Sequence, residues 1–185
     1  MSEKNRNILK DIISYALIIL VVVVIRVFIF DPVRVDGPSM NNTLVNGEIV
    51  ILNKYEYRKK DVERYDVVVV KVDGKQIIKR VIGLPNEKIE IKDNKVYADG
   101  KELRNDFTMI DKKIDGKERH FAGDNWDMSE IGLQKIEGNS YLVMGDNRAV
   151  SFDSRYKEVG IISKDQIVGK AVIVIWPLNK IRIIK

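Results

Sequence analysis

The chain has 185 residues, no cysteine, a single histidine and a formal net charge of +5. That length suffices for one domain with its own core and a short additional segment. The absence of cysteine excludes disulfides and thiolate chemistry, and with only one histidine it excludes a zinc site built from these residues. We therefore expect neither a metal ion nor a cofactor. His120 is the only possible histidine of a Ser-His-Asp triad.

The basic residues show no pattern typical of a nucleic-acid site. Lysines and arginines are spread along the chain among acidic residues, and no stacking aromatic residues accompany them. A modest positive charge also suits association with an anionic lipid surface. The composition thus favours a lipid bilayer over nucleic acid as a partner, and it specifies no oligomeric state.

The first element is an apolar run, "IISYALIILVVVVIRVFIF", from Ile12 to Phe30, whose only charge is Arg26. As a helix it would be roughly 28 Å long, close to the hydrocarbon thickness of a bilayer. A buried core helix or a pair of strands is the alternative, because valine and isoleucine dominate its second half. The run is long for the apolar region of a signal peptide, and no small-x-small cleavage site follows it. It predicts an uncleaved transmembrane anchor over residues 12–30.

The residues flanking the anchor predict its orientation. Lys4, Arg6 and Lys10 precede it, partly offset by Glu3 and Asp11. Positive charge favours the cytoplasmic side, and a long following domain can cross a membrane whatever its charge. We therefore expect a single-pass protein of the cell membrane, with residues 1–11 in the cytoplasm and a catalytic β domain, residues 31–185, outside.

The rest of the chain has the alternation and the turn signals of an antiparallel β protein. Turns are predicted at Asp73-Gly74, Asp93-Asn94 and Asp99-Gly100. The strand-like segments are Val33–Val35, Glu48–Leu52, Asp66–Val72, 75–83, a meander over 87–103, 141–147, and a final pair of strands over 166–177. The polar stretch 104–138 is predicted to be a surface insertion. The fold class is mainly β, with an antiparallel sheet or barrel-like domain after one N-terminal transmembrane helix.

Ser39, in "VDGPSMNNTL", lies a few residues after the apolar run. Gly37 permits a tight backbone approach, and Pro38 stiffens the chain just before the serine. An ordinary turn serine is the alternative to a nucleophile. Because serine is a poor nucleophile near pH 7 without a base beside it, a catalytic Ser39 requires a base elsewhere in the chain.

Lys79 and Arg80, in "QIIKRVIG", occupy opposite faces of a predicted strand, and both faces are otherwise apolar. The strand is therefore expected to be buried. Burial disfavours an ammonium group, so the pKa of Lys79 falls and Lys79 becomes a candidate base. Arginine cannot deprotonate, so Arg80 needs a carboxylate partner. Structural cations at a sheet edge are the alternative.

The stretch "GDNRAVSFDSR", residues 145–155, follows a strand and is dense in polar groups. Asp146 and Asp153 are the candidate partners of Arg80 and Arg155. Ser151 is a candidate for orienting an uncharged lysine. A solvated polar loop is the alternative.

Taken together and in this order, "SM..TL" after a membrane span, "KRVIGLP" after a hairpin and "GDNR..S.DSR" resemble the type I signal peptidases of bacteria. The resemblance extends from the anchor to Trp176-Pro177, and the two downstream motifs are long and specific. The single anchor and the short insertion are similar to the compact form of Gram-positive bacteria. The family implies a membrane-bound serine endopeptidase that cleaves signal peptides from exported preproteins, with its catalytic groove near the bilayer surface.

The resemblance also implies roles for particular residues. Ser39 matches the nucleophile of the family and Lys79 its general base, while Ser151 matches the serine that supports the lysine. Asp153 and Arg155 match the acidic and basic pair of "DSR". The oxyanion would be bound by backbone N–H groups, including that of Ser39, in a loop shaped by Gly37.

The chain differs from the usual sequence motif of the family at two positions. Asn42 stands where proline is usual, and Gly37 stands where some members carry a serine that assists the oxyanion hole. Neither change touches a reacting group. We therefore expect Asn42→Pro to be tolerated.

Two other functions are also compatible with these residues. One is a cytosolic self-cleaving repressor that uses a similar Ser/Lys dyad, which the span at Ile12–Phe30 and the lack of a helix-turn-helix region disfavour. The other is a catalytically silent membrane-anchored binding or assembly protein, which the presence of Ser39, Lys79 and Ser151 disfavours. A Ser-His-Asp hydrolase is disfavoured further, because no nucleophile-elbow motif accompanies His120.

Overall fold

The N-terminal part of the chain is one long helix. The computed structural model describes residues 3–104, 113–114, 117–118 and 125–184, and helix α1 is Glu3–Phe28. Large side chains between Ile12 and Val24 are exposed, from 44% at Val24 to 68% at Tyr15, so the protein body does not cover them. Among the described residues, no helix combines the length and the apolarity that crossing a membrane requires.

The described body is built almost entirely of strands, with one short helix, α2, at Glu56–Lys59. Three single turns of 3-10 helix lie at Met128–Ile131, Lys164–Gln166 and Leu178–Lys180. The strands in chain order are β1 (Phe30–Arg34), β2 (Ile49–Asn53), β3 (Val67–Val72), β4 (Lys75–Gly83), β5 (Ile89–Lys92), β6 (Lys95–Ala98), β7 (Lys101–Glu102), β8 (Lys113–Ile114), β9 (Lys117–Glu118), β10 (Trp126–Asp127), β11 (Ser140–Met144), β12 (Ile162–Ser163), β13 (Ile167–Trp176) and β14 (Arg182–Ile183).

These strands pair antiparallel throughout the described part of the chain. The large sheet has the order β1-β2-β13-β3-β4-β11-β12, with β14 also on β13, and a smaller sheet has the order β10-β5-β6-β7. Strands β8 and β9 form a separate hairpin. The predicted mainly antiparallel β fold is confirmed. The large sheet has two free ends, β1 and β12, so the described strands form an open sheet rather than a closed barrel.

The predicted tight turns are confirmed. At Asp73-Gly74, φ is 48° and 78°; at Asp93-Asn94 it is 49° and 63°; at Asp99-Gly100 it is 48° and 80°. Positive φ at both central residues suits the two-residue hairpin turns whose twist matches that of the flanking strands. The first of these turns fixes the register of β3 against β4, and so sets which residues of β4 are buried.

The predicted final pair of strands is instead one long strand, β13. Gly169 does not mark a turn there. It lies where β13 crosses β2 so closely that a Cβ atom would collide with the backbone of Asn53, and the pairing register with β3 shifts between Ile167 and Gly169. A glycine within a strand is typical of such a bulge or close approach.

The stretch 104–138, predicted as a surface insertion, divides into two parts. Residues 105–112, 115–116 and 119–124, with His120 among them, lie outside the described residues. Residues 125–138 depart from the prediction, because Trp126, Met128 and Ile136 are buried in the core formed by the smaller sheet and β4. Trp126 and Met128 alternate with a single polar residue between them, and seven residues separate Met128 from Ile136, so the apolar pattern is too short to predict their burial.

The large sheet brings three separate parts of the chain together. Strand β11 pairs with β4, so that Met144 lies opposite Arg80 and the residues after β11 continue beside the buried part of β4. The loop between β1 and β2 packs Met40 and Leu44 into the core with Val50. Ser39, Lys79 and the 145–155 stretch therefore meet at one place.

Candidate active site

Lys79 and Arg80 lie in the buried half of β4, as predicted. Their exposed fractions are 3% and 0%, and they pair with Val68 and Val67 of β3. A cation buried in a valine-rich sheet loses its hydration, so each needs compensation from the protein or must give up its charge.

Ser39 lies in the loop between β1 and β2, next to Lys79. Lys79 Nζ donates a hydrogen bond of 2.8 Å to Ser39 Oγ, across 40 residues of sequence. This is the distance at which a base can take a proton from a hydroxyl once the amine is neutral.

Burial lowers the pKa of Lys79 to about 8, from 10.5. The Asp153 and Asp146 carboxylates oppose this by attracting the ammonium, while the Arg155 guanidinium repels it. The Arg155 guanidinium offsets part of this attraction, and burial remains the largest effect. An appreciable fraction of Lys79 is thus neutral near pH 7.

Arg80 is held by Asp146 in the pairing that the sequence predicts. Arg80 Nε and Nη2 donate to the two oxygens of Asp146 at 2.9 and 2.7 Å, and both side chains are fully buried. Thr43 joins this pair: its hydroxyl accepts from Arg80 Nη2 at 2.9 Å and donates to Asp146 at 2.5 Å. Thr43 was not predicted as part of the site, although it is the threonine of "SM..TL".

Arg155 pairs with Asp153, which is also as predicted. Its Nε and Nη2 donate to the two carboxylate oxygens at 2.8 and 2.9 Å. Burial by itself would raise the pKa of Asp153, but the charge and hydrogen bonds of Arg155, with those of Ser151 and Gly145, bring it below its ordinary value. Asp153 therefore stays ionised.

Ser151 makes no hydrogen bond with Lys79 Nζ within the described structure, and its role in orienting the lysine stays a prediction. Its hydroxyl accepts a hydrogen bond of 3.1 Å from Gly145 N–H and lies against the Asp153 carboxylate. Ser151 thus supports the 145–155 loop through Gly145 and Asp153.

Gly145 and Asn147 hold the backbone of Ser39, and the sequence analysis assigned neither of them a role. Asn147 N–H donates to Ser39 O at 3.0 Å. A Cβ atom at Gly145 would collide with Ser39 O and with Ser151 Oγ. The glycine directly after the strand "YLVM" is the sequence signal for this contact, since only glycine permits so close a backbone approach.

A groove of about 230 Å³ opens beside Ser39. Its walls include Val33 of β1, Val35 just after β1 ends, and Ile77 and Ile78 of β4. Strand β1 is an edge of the sheet, and the described pairing of β11 with β4 extends only to Arg80. Backbone donors and acceptors at the groove are therefore open to an extended peptide on both sides.

Several known proteins are similar to this chain. The family described as "Signal peptidase, peptidase S26" matches residues 8–176. The chain is 36% identical to signal peptidase I S of Bacillus subtilis (strain 168), over 98% of each chain. It is 33% identical to signal peptidase IB of Staphylococcus aureus (strain COL), over 96% of this chain and 94% of that one. A crystal structure of a signal peptidase I from Enterococcus faecalis V583 matches with 24% identity and a TM-score of 0.47, over 60% of this chain and 97% of that one.

The backbone of Asn42 contradicts the expectation that Asn42→Pro is tolerated. Its φ is 93°, whereas a proline ring fixes φ near −65°. We expect Asn42→Pro to reduce both the free energy of unfolding, by more than about 1 kcal/mol, and the cleavage rate. Asn42→Gly, which accepts positive φ, is the matched control and is expected to retain activity. Thermal unfolding and a peptide cleavage assay measure the two effects; full activity in Asn42→Pro would show that the loop can form with negative φ.

The low pKa of Lys79 predicts a pH-dependent cost in stability. Unfolded, the lysine binds its proton up to about pH 10.5; folded, it loses the proton near pH 8, so below pH 8 the folded state carries the full penalty. A pKa difference of this size corresponds to about 3 kcal/mol. We expect Lys79→Met to increase the free energy of unfolding at pH 7 by about 1–3 kcal/mol, since the lost hydrogen bond offsets part of the gain.

The advantage of Lys79→Met should shrink between pH 8 and pH 10.5, where the folded wild-type lysine is neutral. Thermal unfolding of the detergent-solubilised full chain at pH 7 and pH 9.5 measures it. A stability difference that stays constant with pH would show that Lys79 is not desolvated as its burial implies.

Proposed function

The chain belongs to the signal peptidase family, peptidase S26, and on that premise we propose that it cleaves signal peptides from exported preproteins with a Ser39/Lys79 dyad. Ser39 is the nucleophile and Lys79 is the general base. The observation that carries the assignment is the 2.8 Å hydrogen bond between Lys79 Nζ and Ser39 Oγ, made by a buried lysine whose pKa lies near 8.

In the first half of the reaction, neutral Lys79 accepts the hydroxyl proton as Ser39 Oγ attacks the carbonyl carbon of the scissile peptide bond. The tetrahedral intermediate collapses when the carbon–nitrogen bond breaks and the Lys79 ammonium donates its proton to the leaving amine. The mature protein leaves with a free N-terminus, and the signal peptide remains as an ester on Ser39.

In the second half, Lys79 accepts a proton from a water molecule that attacks the ester. The carbon–oxygen bond to Ser39 breaks, the serine oxygen regains a proton from Lys79, and the signal peptide leaves with a new carboxyl group. One water molecule is consumed over the cycle, and the enzyme returns to its starting state.

The oxyanion formed in both halves requires hydrogen-bond donors that are free in the resting enzyme. Ser39 N–H makes no hydrogen bond within the described structure, which supports its role as one donor. Gly37, with φ of 86°, adopts the left-handed backbone that turns the loop just before Ser39. Asn147 N–H fixes the other side of the same residue by holding Ser39 O.

The groove supports an extended substrate. A peptide that enters it can pair with the open edge of β1 on one side and with Lys75–Lys79 of β4 on the other. The small volume, about 230 Å³, suits small side chains near the scissile bond. The four valine and isoleucine side chains in the walls would contact them.

Arg80, Asp146, Asp153, Arg155 and Ser151 are supporting residues in this proposal. Buried ion pairs of this kind add little net stability, because desolvation offsets their attraction. Their role here is to fix the loops around Ser39 and, through the Arg155 guanidinium, to offset part of the attraction by which the two carboxylates raise the pKa of Lys79.

The proposed location is the cell membrane, with helix α1 as a single anchor and the body outside the cytoplasm. Exposure of the apolar side chains between Ile12 and Val24 supports this, since the body leaves them uncovered. An anchor would also keep enzyme and membrane-embedded substrate in the same two dimensions, which raises their effective concentration.

The dyad is tested by Ser39→Ala and Lys79→Ala in the detergent-solubilised full chain, with a preprotein as substrate and sequencing of the new N-terminus. Each variant is expected to lose at least about a thousandfold in kcat, because the nucleophile and its base act as a unit. His120→Ala is the control and is expected to keep full activity. Full activity in either dyad variant would eliminate this mechanism.

The proposed dyad also predicts how kcat/KM depends on pH. Since only neutral Lys79 accepts a proton, kcat/KM is expected to increase about tenfold per pH unit below pH 8 and to level off above it. A profile that falls through pH 8 with rising pH would mean that the ammonium form is the active one.

The anchor is tested with single cysteines, because the chain has none of its own. Lys10→Cys precedes the apolar run, and Lys101→Cys is exposed on β7. In intact cells, we expect a membrane-impermeant maleimide to label only Lys101→Cys, and alkaline carbonate to leave both variants in the membrane. Release by carbonate would contradict the anchor, and labelling of Lys10→Cys alone would reverse the orientation.

A further inference from the structure

We propose that the ion pair between Arg182 and Glu48 positions the loop that carries Ser39, so that the C-terminal strand β14 sets the geometry of the nucleophile. This inference rests on the proposed role of Ser39. Arg182 lies beyond residues 8–176, the part of the chain that matches the family. It is a positioning residue, since it touches neither Ser39 nor Lys79.

The contact is bidentate and has a buried acceptor. Arg182 Nη1 and Nη2 donate to the two Glu48 oxygens at 2.9 and 2.7 Å, and Glu48 is only 2% exposed. Arg182 Nη2 also donates to Thr43 O at 2.7 Å. The planar guanidinium can donate two parallel hydrogen bonds to the carboxylate and a third to the carbonyl, a fork geometry that the lysine ammonium lacks.

Glu48 also binds the backbone of the loop that carries Ser39. Its Oε2 accepts a hydrogen bond of 3.0 Å from Val45 N–H. Burial by itself would raise the pKa of Glu48, but the hydrogen bonds from Arg182 and Val45 bring it below its ordinary value. The carboxylate stays charged, and residues 43–48 close around it.

Thr43 links the contact to the dyad. Thr43 N–H and Leu44 N–H donate to Met40 O, the residue next to Ser39, at 3.1 and 2.8 Å. The Thr43 hydroxyl is bound by Asp146 and Arg80, while its carbonyl is bound by Arg182. One residue of the loop is thus fixed from opposite directions, by the strand that carries Lys79 and by β14.

Arg182 is itself held in place by the sheet. It pairs with Val174 of β13, and its Nη1 also donates to Lys180 O at 3.1 Å. The guanidinium therefore reaches the loop from the sheet rather than from a free chain end. Without it, Thr43 keeps its side-chain contacts, and the loop loses its contacts on the β14 side only.

The experiment separates positioning from general stabilisation. Arg182→Met keeps much of the side-chain bulk and removes all four hydrogen bonds, Arg182→Lys keeps the charge, and Arg58→Met is the matched control on exposed helix α2. Each full-length variant is assayed for kcat and KM on a preprotein, for the rate at which an acylating probe modifies Ser39, and for its melting temperature. All assays are made below the lowest melting temperature.

For Arg182→Met, we expect kcat and the rate of Ser39 acylation to fall about tenfold to a hundredfold, with KM changed less than about twofold, because a small displacement of a reacting group costs this much. Arg182→Lys should recover part of the loss, and Arg58→Met should match the wild type. Glu48→Gln, which weakens the same contact from the loop side, should show the same loss in kcat.

Two results would overturn the inference. One is a lower melting temperature with unchanged kcat and acylation rate, which would make the pair a stabilising contact only. The other is a raised KM at unchanged kcat, which would assign the loss to substrate binding. If Arg182→Met does not fold, Arg182→Lys and Glu48→Gln are read by the same criteria. Full activity in Ser39→Ala would instead contradict the proposed function, whatever Arg182→Met shows.

Discussion

The rest of the site depends on the desolvation of Lys79. An ammonium group in a sheet of valines is unfavourable, and this cost brings its pKa to about 8. Burial would not keep Lys79 partly neutral beside unpaired carboxylates, because their negative charge would raise its pKa again. Asp146 and Asp153 are therefore each matched by an arginine with two hydrogen bonds. The ion pairs supply rigidity, and they also protect the neutrality of the base.

The fold brings residues that are far apart in the chain together at one site. A hairpin puts Lys79 in the buried half of β4, the loop between β1 and β2 carries Ser39, and the glycine after β11 lets a third segment approach the serine backbone. Close backbone approach is what makes Gly145 necessary, since any side chain there would push the two loops apart. Thr43 belongs to the same construction, as the point at which the loop meets the buried Arg80–Asp146 pair.

Family membership decides between functions that the residues left open. Matching over residues 8–176 and identities of 33–36% to bacterial signal peptidases favour neither a self-cleaving repressor nor a silent binding protein. Relatives do not explain everything, however. Asn42 has φ of 93°, a backbone that the proline usual in the family cannot adopt. Arg182 adds a contact to the same loop from beyond residues 8–176, the part that the family model matches. Both details concern how this chain holds its nucleophile loop.

From sequence alone, periodicity and turn residues determined the antiparallel β class, the three tight turns and the burial of Lys79 and Arg80, because these follow from local patterns of period two and from residues that accept positive φ. The need of a buried arginine for a carboxylate also made Asp146 and Asp153 candidate partners of Arg80 and Arg155, and the structure pairs them so. Tertiary structure alone decided the 2.8 Å contact of Lys79 with Ser39, the hydrogen bond that Ser151 accepts from Gly145, and the burial of Trp126 and Ile136. Such features depend on strand register and on contacts between residues far apart in the chain, and neither leaves a local periodic signal.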